Sequence, residues 1–205
     1  MKTELLSADH PSAIPHALDV LNHGGLVVFP TDTVYGLAAL PFQPQSIERL
    51  YVVKGRSSQK AIAILLGSMA HLDLVTSAMS PLALRLAERF WPGSLTLVVP
   101  RHPNLPVVLT PDATIGVRMP DHPLALALLQ YTGPLAVTSA NLSGMENTVT
   151  AQEVLDQLRG RVHLVLDGGR APGGVPSTVI DCTGLQPLVL RKGPVTLEAI
   201  QAALA

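Results

Sequence analysis

Proline and glycine interrupt this chain so often that no apolar run exceeds six residues. Eighteen prolines and 16 glycines punctuate 205 residues, and the longest apolar stretches, such as Leu124 to Leu129, stop there. Runs of that length suit short buried strands and fall far below the ~20 residues needed to span a bilayer. Between them, apolar residues recur at helical spacing. Ile14, Leu18 and Leu21 mark a helix stopped by Gly24-Gly25, and Ile47, Leu50 and Tyr51 mark one entered at Pro44 and closed near Gly55. Ser80-Pro81 opens a helix running to Phe90, Asp121 is expected to cap one through Leu129, and Thr150-Ala-Gln-Glu153 reads as a capping box. Thr196 opens a terminal helix. Strands are expected at Leu26–Phe29, Ala61–Leu66, Leu95–Val99, Ile115–Met119, Leu135–Thr138, Val162–Leu166, Thr178–Ile180 and Leu188–Leu190. Helices and strands interleave throughout, which predicts a single-domain α/β fold: one twisted mixed β-sheet with flanking helices.

Composition narrows the function. Charged residues are 14% of the chain against roughly 25% in typical soluble domains, and the net charge is −1. No global field draws in nucleic acid or an acidic membrane, so an anion site must be local. A single cysteine, Cys182, excludes an intramolecular disulfide and a thiolate zinc cage. No signal-peptide pattern opens the chain, so a cytoplasmic protein without membrane attachment is expected. The P-loop, the dinucleotide glycine fingerprint, the H-E-x-x-H pair and the G-x-S-x-G elbow are all absent from the sequence. The seven histidines are scattered, and structural or surface roles suit them better than metal ligation.

Six small polar or basic clusters remain, each expected at a strand end, where open α/β sheets collect ligands. They are Pro30–Gly36, Lys54–Lys60, Thr114–Pro120, Thr138–Asn141, Gly173–Thr178 and Leu190–Pro194. Lys54, Arg56 and Lys60 put three cations in seven residues beside a glycine, a pattern that matches a phosphate chain as well as a solvated loop. Arg118 sits inside an apolar strand. A buried guanidinium needs an anion, either a structural carboxylate or a ligand carboxylate. The Gly168–Pro176 stretch reads as a functional loop rather than a linker.

Taken in order, FPTDTVYGL, KGR, WPGSLTLV, VRMPDHP, TSANLSG, DGG, PSTVID and LRKG span residues 29–193. That series resembles the YrdC/Sua5 family, the threonylcarbamoyl-AMP synthases. The resemblance implies a YrdC-like sheet with a concave basic cleft over residues 1–205, without the C-terminal extension of longer relatives. It also implies an activity: L-threonine, bicarbonate or CO2, and ATP are joined into L-threonylcarbamoyladenylate with release of pyrophosphate. The product serves the threonylcarbamoyl modification of adenosine 37 in tRNAs reading ANN codons, by way of a downstream tRNA threonylcarbamoyl transfer machinery.

By the same resemblance, Thr33, Arg118 and Ser177 match contacts to threonine. Lys54 and Arg56 match the cations that hold the ATP phosphates and stabilise charge in catalysis, with Ser139 and Asn141 beside them. Arg191, Lys60, Thr114 and Asn147 fall at further nucleotide positions. Mg2+ is expected to enter with ATP, held by phosphate oxygens and water, with no protein ligand nominated. Some relatives place a histidine where Leu65 stands, which puts that one contact in doubt. Two alternatives differ in kind. A non-catalytic module binding double-stranded RNA or tRNA would use the same basic cleft. The carbamoyl-transfer enzymes of hydrogenase maturation carry cysteine-rich zinc motifs that a chain with one cysteine cannot supply.

Overall fold

The structure is a computed structural model that describes residues 2–205. Among the described residues ten strands form one mixed sheet. In chain order they are β1 (Glu4–Ser7), β2 (Val27–Phe29), β3 (Gly36–Ala39), β4 (Ala63–Leu65), β5 (Leu95–Pro100), β6 (Thr114–Arg118), β7 (Leu135–Ser139), β8 (Leu164–Asp167), β9 (Thr178–Asp181) and β10 (Leu188–Arg191). The helices are α1 (Ala13–Asn22), α2 (Pro44–Lys54), α3 (Leu72–Val75), α4 (Pro81–Phe90), α5 (Pro123–Thr132), α6 (Ala151–Leu158) and α7 (Leu197–Leu204). Across the sheet the order is β1-β8-β2-β3-β7-β4-β6-β5-β9-β10. The expected α/β class and mixed sheet are borne out.

Local chemistry accounts for most of the boundaries. Ser80 accepts from the Ala83 amide and Thr150 from the Glu153 amide, so α4 and α6 begin at their N-caps. The box at Thr150 is shifted by one residue, since Glu153 reaches back to the Val149 amide at 2.7 Å. Gly55, at φ 59°, closes α2 in the left-handed conformation that glycine adopts without strain. One expected cap is corrected: α5 starts at Pro123 with His122 as its N-cap. Proline cannot supply an interior N–H and is pre-set for the first helical turn, which shifts the start past Asp121.

Two strands have no counterpart in the sequence expectations. β1 is largely exposed and gains its ladder only by pairing parallel to β8. β3 follows the 30–35 turn directly and joins β2 to β7, antiparallel to both. Two buried clusters back the sheet, one on each side. Ile64, Val117, Leu97 and Ile180 belong to the larger, and Leu65, Leu135, Val27 and Phe29 to the smaller.

Candidate functional site

Alternation along the central strands builds the site. In β6, Ile115 and Val117 are buried in the larger cluster, so Gly116 and Arg118 face the other way. In β5, Leu95, Leu97 and Val99 do the same, turning Thr96 and Val98 outward. Ala63 and Leu65 of β4, Val137 of β7 and Val179 of β9 join them. Together these residues floor a cleft of about 350 Å3. The floor stays low because its residues are small. A Cβ on Gly36 would come within 2.7 Å of Val137, and one on Gly116 within 3.2 Å of Thr96. The candidate site therefore lies across a sheet face, ringed by loops, where the sequence placed its clusters at strand ends.

The turn after β2 forms one wall. Thr31 donates to the Val34 carbonyl at 2.7 Å and lies 3.0 Å from the Thr33 hydroxyl. This is the tight turn that a Thr-Asp-Thr sequence favours. Arg118 reaches this turn from β6. Its Nε donates to the Gly93 carbonyl at 2.8 Å, one terminal nitrogen donates to Thr33 Oγ1 at 2.9 Å, and the other pairs with Asp32. Asp32 also accepts from the Asp121 amide at 3.1 Å. The structural carboxylate considered for Arg118 is thus present. A guanidinium has five N–H groups and three are engaged, which leaves one on each terminal nitrogen for a ligand in the cleft. Burial pulls the Arg118 pKa below its ordinary value, and Asp32 opposes that shift.

Ser177 and Arg191 form the opposite wall. Arg191 donates to the Ser177 carbonyl at 3.0 Å and to its hydroxyl at 3.1 Å. The Gly168–Pro176 loop closes over the Thr33 turn, with the Gly174 amide donating to the Thr33 carbonyl at 2.8 Å. Tyr35 anchors the loop's start through a 2.6 Å bond to the Gly169 carbonyl. Burial pushes the Tyr35 phenol up to about 12, so it stays a donor at any ordinary pH.

Arg56 closes the cleft from the loop after α2, steadied by the Lys60 and Ala61 carbonyls at 3.2 and 2.9 Å. Lys54 does not line the cleft. Its ammonium donates to the Ser139 and Asn141 carbonyls at 2.5 and 2.6 Å and to Asn141 Oδ1 at 3.0 Å. Ser139 in turn donates to Asn141 Oδ1 at 2.6 Å. Burial and then Arg56 lower the Lys54 pKa to about 8.

Of the expected site residues, the cleft brings together Thr33, Arg56, Arg118, Ser139, Asn147, Ser177 and Arg191. Lys54 and Asn141 lie buried behind Ser139 through the bonds just described. Lys60 is exposed on its loop and Thr114 sits at the start of β6, neither lining the cleft. Asp32 enters the sequence reading only as the carboxylate of the 30–36 cluster, without Arg118 as its partner, and Thr96 has no role in it. Asp32 could have been found as the acid nearest a buried arginine's turn, and Thr96 as the hydroxyl inside the apolar Leu95–Val99 run.

Among the described residues no carboxylate lines the cleft, and no cluster of three or more His, Cys, Asp or Glu could hold a metal ion. A Mg2+ cage of protein carboxylates does not fit this donor set. Cations and hydroxyls fit a polyanion. Cys182 is buried with its thiol pushed up to about 12 by burial, so it is no nucleophile.

The Sua5_yciO_yrdC family, described as "Telomere recombination", matches residues 19–193. The chain belongs to the Sua5/YciO/YrdC family. A threonylcarbamoyl-AMP synthase of Bacillus subtilis is 40% identical over 98% of this chain and 59% of its own length. Among solved structures, Pyrococcus abyssi Sua5 complexed with L-threonine superposes with a TM-score of 0.94 at 36% identity, covering 100% of this chain and 61% of that one. Escherichia coli YciO gives 0.86 at 29% identity, covering 97% and 98%. The chain therefore spans about three-fifths of the length of the Bacillus and Pyrococcus relatives. The expected family resemblance is borne out. Among the described residues no helix is long and apolar enough to cross a membrane.

Proposed function

We propose that this chain is a threonylcarbamoyl-AMP synthase, a nucleotidyltransferase acting on L-threonine, bicarbonate or CO2, and ATP. The observation that carries the reading is one cleft with two cationic stations and no lining acid. Arg118, with its two remaining N–H groups, stands beside the Thr33 hydroxyl, and Arg56 and Arg191 line the same cleft. The first station suits an amino-acid carboxylate. The second suits the phosphates of ATP, with Ser139 and Asn147 alongside. The name of the Bacillus relative and the threonine held by the Pyrococcus protein support the same assignment.

In this reading the threonine amine attacks CO2, losing a proton and forming a carbamate. A carbamate oxygen then attacks the α-phosphorus of ATP, the bond to the β-phosphate breaks, and pyrophosphate leaves. Both partners are anions, so the protein's task is to offset repulsion and hold the oxygen in line. Arg56 and Arg191 offset the phosphate charge. Arg118 and Thr33 fix the amino acid so that its amine faces the nucleotide. Mg2+ would arrive with ATP on phosphate oxygens and water. The mixed anhydride formed is reactive, and a tRNA threonylcarbamoyl transfer machinery in the cytoplasm would consume it.

The double-stranded RNA reading is less favoured. Lys54 and Arg118 are 3% and 6% exposed, out of reach of a duplex backbone. The test is pyrophosphate release with ATP, bicarbonate and each amino acid in turn. Threonine should give a signal well above serine, alanine and buffer, and equal signals would overturn the assignment.

A further inference from the structure

Thr96 faces the cleft from the second position of β5, and no role described so far uses its hydroxyl. It is 5% exposed, and its Oγ1 lies 2.7 Å from the Oγ of Ser177, itself 4% exposed. Among the described residues that is the only hydrogen bond of the Thr96 hydroxyl. Ser177 Oγ has one proton and two lone pairs, and Arg191 already donates into one of them.

The Thr96–Ser177 bond can run in either direction, and each direction leaves one hydroxyl proton for the cleft. If Ser177 donates to Thr96, the proton left for the cleft is that of Thr96, and Ser177 has none to offer. If Thr96 donates to Ser177, its own proton is satisfied and both Ser177 lone pairs are filled. The one function left on Ser177 is then its O–H, in a cleft lined by cations and suited to an anion. Accepting two bonds also polarises that O–H as a donor.

We infer that Thr96 is a positioning residue for amino-acid recognition: by donating to Ser177 it turns the Ser177 proton toward a substrate carboxylate oxygen. This rests on the reading that threonine binds between Thr33, Arg118 and Ser177. The main chain places Ser177 independently of the Thr96 hydroxyl. The next residue, Thr178, pairs with Leu95 and donates its amide to the Ser94 carbonyl at 3.0 Å. Thr96→Val keeps a β-branched side chain of nearly the same shape in the strand and removes only the hydroxyl.

Calorimetric titration of threonine into wild type, Thr96→Val, Thr96→Ser, Ser177→Ala and the Thr96→Val/Ser177→Ala double variant tests the inference. Thr96→Val should weaken threonine binding by roughly three- to tenfold, the worth of one neutral hydrogen bond. Thr96→Ser should bind as wild type does. In the Ser177→Ala background, Thr96→Val should add nothing, because it acts through Ser177. Affinity for a non-hydrolysable ATP analogue should hold in Thr96→Val, since Arg191 keeps its bond to the Ser177 carbonyl. Wild-type threonine affinity in Thr96→Val, or losses that simply add in the double variant, would overturn the role of Thr96. No threonine binding by the wild-type protein would overturn the functional reading, and this inference with it.

Discussion

Lys54, the last residue of α2, and Asn141, two residues beyond β7, are joined twice: the ammonium donates to the Asn141 carbonyl at 2.6 Å and to its side-chain oxygen at 3.0 Å. With the Ser139 carbonyl at 2.5 Å, all three ammonium protons have partners. In this arrangement Lys54 holds the turn that presents Ser139 to the cleft and supplies its charge from behind that turn. Lys54→Met would leave two buried carbonyls unmatched, at about 1–3 kcal/mol each. Thermal denaturation should show a drop of several degrees, since a domain of this size shifts about 2–4 °C per kcal/mol.

The same lysine has a pH signature. Its pKa is lowered from 10.5 to about 8, burial first and Arg56 second. Below pH 8 it is protonated whether the protein is folded or unfolded, and the full cost of burying the charge is present. Between about 8 and its unfolded value, the unfolded chain binds more protons, so the Lys54 contribution to stability rises with pH. Denaturant titrations of wild type and Lys54→Met at pH 7 and pH 10 should show the difference moving in favour of wild type at the higher pH. A difference independent of pH would contradict the assignment.

Arg118 has both a structural and a ligand-facing side. Arg118→Met leaves Asp32 without its cation, and breaking a buried pair costs about 3–5 kcal/mol. It also removes the N–H groups left for a carboxylate. The variant should therefore melt lower and lose the stabilisation that threonine gives to wild type. Asp32→Asn, which keeps an acceptor for Arg118, should melt between the two and retain a reduced threonine response. Full threonine-induced stabilisation of Arg118→Met would remove Arg118 from the site.

Gly173 marks where the 168–176 loop meets the Thr33 turn. A Cβ there would stand 2.6 Å from the Asp32 carbonyl oxygen and 2.9 Å from Thr33 Cα, both main-chain atoms that cannot swing aside. Gly173→Ala should push the loop off the turn. Threonine affinity should fall while the binding of an ATP analogue changes less, and calorimetry with each ligand reads the two separately.

Arg56 faces the cleft with its guanidinium steadied by two carbonyls. Arg56→Ala should weaken ATP binding by roughly ten- to a hundredfold, since charged hydrogen bonds contribute about 1.5–3 kcal/mol. Threonine binding measured alone should change little. Unchanged ATP affinity would remove Arg56 from the nucleotide station.

Local signals made the elements legible where they were strong. Ser80-Pro81, Thr150 with Glu153 and Gly55 set their helix ends by chemistry within a few residues, and the structure keeps them. β1 and β3 were hidden because neither carries its own signal. β1 has three exposed residues in four and exists through its pairing with β8, over 150 residues away. β3, Gly-Leu-Ala-Ala, is buried on both faces and shows no alternation. In the site, alternation in 115–119 placed Arg118 on the right face. Its engagement with Asp32 could not be read, since 86 positions separate the two. The cationic KGR signal points to Lys54 as a phosphate partner, but it says nothing of the turn that Lys54 holds. That its ammonium is consumed by carbonyls of a turn 85 residues away is a tertiary fact.

Isotopically labelled bicarbonate gives the most direct measurement. The protein is incubated with ATP, threonine and the label, and the nucleotide products are resolved by mass spectrometry. The account predicts an adenylate carrying threonine and the labelled carbon, formed in step with pyrophosphate and strongly reduced in Arg56→Ala and Arg118→Met at ATP and threonine levels that do not saturate the variants. Pyrophosphate released without that labelled adenylate, or an adenylate lacking the label, would contradict it.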